Sequence, residues 1–175
     1  MLPERKVNEI LSLLEDASPN TRVYIGCDSN RFRDKQDIWH ASYTTAVVVH
    51  RIDEDGIGRG ARVITHTDRM VDYDNNKSKP MMRMMNEAYK TAEAYQQLEE
   101  ALLEFDVEVH LDINDDPRFG SNCARQAAVG YLTGVTGRPV KTKPDAFAAS
   151  FVADHGVRGK FDRAPRRHAG TRTVH

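Results

Sequence analysis

Cysteine is almost missing from this chain. Cys27 and Cys123 stand alone, with no CxxC pair, which excludes a zinc knuckle and predicts reduced, buried thiols. Long apolar runs are missing as well. Stretches such as Ala46-Val47-Val48-Val49 are far too short to span a bilayer. The first residues lack the basic-then-apolar layout of a secretory signal, so a cytoplasmic location and no membrane partner are expected. A phosphate-cradling loop is absent too: Gly56-x-Gly58-x-Gly60 precedes no helix and reads as a turn between strands.

What is present is a globular composition, 39% apolar and 29% charged over 175 residues, enough chain for one core without disulfides. The net charge of −1 covers an asymmetry. After Gly156 the bases Arg158, Lys160, Arg163, Arg166, Arg167 and Arg172 face one acid, Asp162. The chain therefore divides into a domain over 1–156 and a basic tail over 157–175. Such a tail suits a phosphate backbone, and it equally suits a disordered, solubilising end.

Periodicity predicts an amphipathic helix over 3–16, with Val7, Ile10, Leu11 and Leu14 on one stripe. Strands follow at 22–27, 39–50 and 61–67, the first two separated by a charged loop over 31–37 and the last two by the turn Asp53–Gly60. A polar segment over 68–79 precedes a long helix from Pro80 to about Glu104, its methionines read as core filling. A strand over 106–113, a helix over 121–132, a strand over 139–143 and a last helix from Pro144 to Asp154 complete the order. Three hairpin-linked strands followed by alternating helices and strands predict a mixed sheet, antiparallel first and parallel later.

Acidic side chains stand at the ends of these elements. Val23-Tyr-Ile-Gly-Cys-Asp28 runs a strand onto Asp28, and Val107-Glu-Val-His-Leu-Asp112 does the same with Asp112. Glu87 lies near the start of the long helix, with Glu93 as a competitor, and Asp145 follows Pro144 in the first turn of the last helix. Converging carboxylates repel one another and persist where a cation neutralises them. Hard ions such as Mg²⁺ or Mn²⁺ take such oxygen ligands, and two ions together can hold a phosphodiester. Each acid also has a local reading: an Asx turn for Asp28, a loop cap for Asp112, a helix-dipole partner for Asp145, a solvated helix position for Glu87.

With those acids in that order, the chain resembles the ribonuclease H-like superfamily. The strings Tyr24-Ile-Gly-Cys-Asp28-Ser29, His110-Leu-Asp112-Ile-Asn114 and Lys143-Pro-Asp145-Ala-Phe-Ala-Ala-Ser150 are similar to its YkuK-type bacterial and phage branch. The resemblance spans about residues 5–156. It implies an α/β fold with a mixed five-stranded sheet, β-β-β-α-β-α-β-α, flanking helices and an extra N-terminal helix. It also implies Asp28, Glu87, Asp112 and Asp145 as catalytic ligands of two Mg²⁺ or Mn²⁺ ions.

The expected function is a metal-dependent nuclease acting on RNA, an RNA–DNA hybrid or branched DNA. Arg31, Arg33, Lys77, Lys79 and the tail residues Arg158, Lys160, Arg163, Arg166 and Arg167 are expected phosphate contacts. The alternative is a catalytically inactive module that binds nucleic acid or protein on the same fold. Trp39 and Tyr43 are read either as base-stacking rings or as core, and His155 as a remote proton shuttle. Ser29 and Asn114 are read as groups positioning a phosphate or water. The sequence does not set the oligomeric state.

Overall fold

A computed structural model describes residues 1–74 and 78–148. Helix α1 (Glu4–Glu15) leads into strands β1 (Arg22–Arg33), β2 (Trp39–Ile52) and β3 (Gly58–Val71). Helix α2 (Met81–Leu98), strand β4 (Asp106–Asn114), a 3₁₀ turn over Gly120–Ala124, helix α3 (Arg125–Thr136) and strand β5 (Val140–Lys143) follow. The five strands form one sheet in the order β3-β2-β1-β4-β5. β1–β2 and β2–β3 are antiparallel, whereas β1–β4 and β4–β5 are parallel. This is the mixed five-stranded sheet expected, with the extra N-terminal helix.

Alternation along the strands divides the sheet into two faces. Val23, Ile25, Val47, Val49, Ile64, Val109, Leu111 and Ile113 pack with Ile10 and Leu14 of α1, Ala88 and Leu98 of α2 and Leu132 of α3 in the main core. On the other face Tyr24 and Val48 pack with Ala148, just beyond β5. The backbone turns helical at Phe147 and Ala148. The rest of the expected last helix, with Asp154, lies outside the described residues. So do Lys77, His155 and the basic tail with Arg158, Lys160, Arg163, Arg166 and Arg167.

Several boundaries differ from the sequence expectation. β1 runs on to Arg33, because β2 offers it partners as far as Arg33↔Trp39, so the charged loop shrinks to 34–38. β3 continues through Asp68 to Val71 for the same reason. Helix α2 stops at Leu98, and the chain turns so that Leu102 is buried while Leu103 is exposed. The expected helix over 121–132 is a 3₁₀ turn followed by an α-helix, which ends on left-handed Gly137. Cys27 is buried as expected but Cys123 is exposed. Met84 fills the core, whereas Met81 and Met82 are exposed.

Candidate functional site

β1 is the seam of the sheet. One edge of it carries the antiparallel strands and the other the parallel ones, so the chain's path reverses between β1 and β4. A crevice at the carboxyl ends of strands is the usual ligand position at such a reversal. The β1–β4 ladder ends at Cys27↔Leu111, although both strands continue. Asp28 and Asp112 are the next residues on each strand. Strand alternation places them side by side, on the face of Tyr24 and His110. Asp28 is therefore not at the end of β1 as expected, since it still pairs with Thr44 of β2. It stands where β1 parts from β4.

Glu87 comes to this parting from α2. It shares a stripe with Met84, Thr91 and Leu98, all buried, and is itself 0% exposed. Ser29 Oγ donates to Glu87 Oε1 at 2.5 Å, while Oε2 is buried with no hydrogen-bond partner. Burial, and then the charges of Asp28 and Asp112, push the Glu87 carboxyl well above its ordinary range. The Ser29 hydroxyl and the Arg83 guanidinium oppose that rise. Arg83 Nη1 donates to Ser29 O at 3.3 Å. Glu93, the competing acid, lies apart and pairs with the terminal amine at 2.7 Å.

Asp112 is held by Lys143 of β5, Nζ to Oδ1 at 2.8 Å. Asp28 Oδ1 accepts from the Ser29 amide at 2.7 Å. Asp145 is exposed, directly after β5, and its charge raises the proton affinity of Lys141 after the Glu108 contacts. The structure thus brings Asp28, Glu87 and Asp112 near one another at the seam, while Asp145 stands exposed just after β5. Among the described residues, no three His, Cys, Asp or Glu side chains are grouped as one metal's ligand set.

A cleft of about 710 Å³ opens over Asp28 and Asp112. Its walls are two loops, residues 78–84 ahead of and into α2 and residues 117–123 beyond β4, with Lys143 at one side. The loops meet at Gly120, where a Cβ would lie 2.0 Å from the Ser78 carbonyl oxygen. Only glycine fits that approach.

A family description, Ribonuclease H-like, matches residues 6–158. The chain belongs to the ribonuclease H-like family. Neither a curated protein nor a solved structure matches it. The family match spans every strand of the sheet and all four of the acids.

Other expected contacts of this ribonuclease H-like chain are placed differently. Arg31 pairs with buried Asp72 at 2.6 Å, donates to Asp74 O and stacks on Trp39 at 4.2 Å, so it is not presented to a phosphate. Arg33 also lies over the Trp39 ring, at 4.4 Å, and pairs with Asp37. Tyr43 is core, its hydroxyl bonded to Asn86 and pushed up to about 12 by burial, an effect the Asn86 bond partly offsets. Lys79 lines the cleft, and Asn114 ties its own loop together through Asp116. His110 is fully buried and accepts the Ala148 amide at Nδ1.

Two cleft residues escaped the sequence reading. Arg83 is one turn before Glu87, a spacing that faces both to one side. Phe119 sits between Pro117-Arg118 and Gly120, an aromatic inside a turn-forming string.

Proposed function

We propose that this protein is a divalent-cation-dependent nuclease that hydrolyses phosphodiester bonds of nucleic acid. The observation that carries the proposal is Glu87: a fully buried carboxylate with an unpartnered Oε2, close to Asp28 and Asp112, which themselves line an open cleft. Buried acids of one sign are costly unless something positive completes them. The oxygen donors of Asp28, Glu87 and Asp112, with Asp145 as the fourth candidate, fit Mg²⁺ or Mn²⁺. A bound divalent ion supplies an acidified water and a polarised phosphoryl oxygen.

The chain's own groups set the rest. Ser29 holds Glu87 through Oε1, and Arg83 in turn bonds Ser29. Lys79, Arg83 and Lys143 carry positive charge along the cleft, where a phosphate backbone would lie. Lys143, at 2.8 Å from Asp112, stands where it can exchange the carboxylate for a substrate phosphate. The fold family supports a nucleic-acid substrate.

The Lys143–Asp112 pair also favours a second reading, a binding module whose acids are neutralised by lysine and never by metal. Wild type and Asp28→Asn, offered Mn²⁺ or Mg²⁺ with labelled single-stranded RNA, RNA–DNA hybrid, duplex DNA and a four-way junction, separate the two. Cleavage by wild type and none by the variant is expected. Retarded substrate with no cleavage by either protein selects the binding module.

A further inference from the structure

Resting on the nuclease reading of the same cleft, we propose that Phe119 is a base-stacking platform and that the substrate enters as a single strand. Phe119 is 52% exposed, although a phenylalanine normally contributes by burial. It lines the cleft shared by Asp28 and Asp112. Among the described residues it makes no ring contact with another aromatic side chain.

Its backbone is held on both sides. The Phe119 amide donates to Asp116 O at 3.0 Å, its carbonyl accepts from Asn122 N at 3.1 Å, and the next residue is Gly120, locked against Ser78. The loop below is stapled by Asn122 Nδ2, which donates to the carbonyls of Asn114 and Asp115. An exposed ring on so fixed a loop is preorganised rather than stranded.

The chemistry around the ring identifies the ligand. Lys79, Arg83 and Lys143 on the cleft walls suit phosphates, and an aromatic face among cations is the usual platform for single-stranded nucleic acid. A duplex cannot use this ring, because each base face inside a stack is covered by its neighbours and only base edges are open. Arg118, next to the ring, is already committed to Asp116 at 2.5 Å. Stacking on Phe119 therefore places an unstacked base beside the phosphate that lies over Asp28 and Asp112.

The test uses the full chain and a single-stranded oligonucleotide carrying one 2-aminopurine, moved position by position, with the matching duplex as control. Ca²⁺ is used for binding and Mn²⁺ for cleavage. Wild type is expected to quench one position in the single strand. Phe119→Ala is expected to lose that quench and bind between about five-fold and about a hundred-fold more weakly, and Phe119→Trp to restore both. Wild type that cleaves the duplex in preference, or an unaltered quench and affinity in Phe119→Ala, overturns the platform and leaves the nuclease standing. A position-specific quench with no cleavage under any metal supports the platform and overturns the nuclease. The quench is read on wild type as well, so the outcome does not depend on the variants folding.

Discussion

β1 carries two polar clusters within a few residues of each other, and they are finished to different degrees. Around Arg31 the charges cancel: the guanidinium meets Asp72 at 2.6 Å, bonds a carbonyl and lies over Trp39. Around Ser29 they do not: Glu87 is buried beside Asp28 and Asp112, and one of its oxygens has no partner. The first cluster is neutralised within the protein, because Arg31 faces Asp72. In the second, Lys143 offsets Asp112, and on the proposed reading a cation completes the rest. A buried charge group that closes on itself belongs to the architecture, and one left open marks where the protein expects a ligand.

The largest way to break this comparison is to open the closed cluster. Arg31→Leu leaves Asp72 buried without its cation and is expected to cost about 3 kcal/mol of stability. Urea unfolding at an unchanged slope measures it. Adding Asp72→Leu should recover much of the loss, since the pair's value lies mostly in mutual neutralisation.

Next in size is the wall of the open cluster. Gly120→Ala drives a Cβ to 2.0 Å from the Ser78 carbonyl oxygen, so the two cleft loops must separate. We expect a loss of about 1–3 kcal/mol and weaker nucleic-acid binding, measured by thermal melting and gel shift. Unchanged values for both would mean that the loops part without consequence.

The smallest expected effect has the opposite sign. Glu87→Gln keeps an acceptor for Ser29 and removes the misplaced charge, so the cation-free protein should gain about 1 kcal/mol near neutrality. The sign follows from the raised folded-state proton affinity of Glu87. Its contribution is fully present below the ordinary carboxyl range and is lost as pH rises through the raised folded-state value. Wild-type melting temperature should therefore fall across that window and Glu87→Gln should stay flatter. Added Mn²⁺ should raise the wild type and leave the variant nearly unmoved.

Much of this was legible in the sequence. Element order, strand directions and the pairing of Asp28 with Asp112 follow from apolar alternation that ends on acids. The lengths of β1 and β3 were not legible, because Ser29-Asn30-Arg31 reads locally as a turn and only β2, across the sheet, keeps it extended. Glu87 carried a signal that composition obscured. Its place on the Met84–Thr91–Leu98 stripe marks it as inward-facing, while its charge suggests a solvated position. Phe119 was hidden by its neighbours, since turn-forming residues on both sides draw attention away from the ring between them.

The seam between β1 and β4 also governs when the site comes into being. The β1–β2–β3 meander joins neighbours in the chain, whereas Cys27↔Leu111 joins distant ones across α2. Local contacts form quickly and distant ones wait on loop closure. Asp28 is thus installed early, and Asp112 arrives with the last-docking strands. A chain that has not finished folding holds Asp28 without Asp112, so on the proposed cation-binding reading metal affinity would double as a gauge that folding is complete.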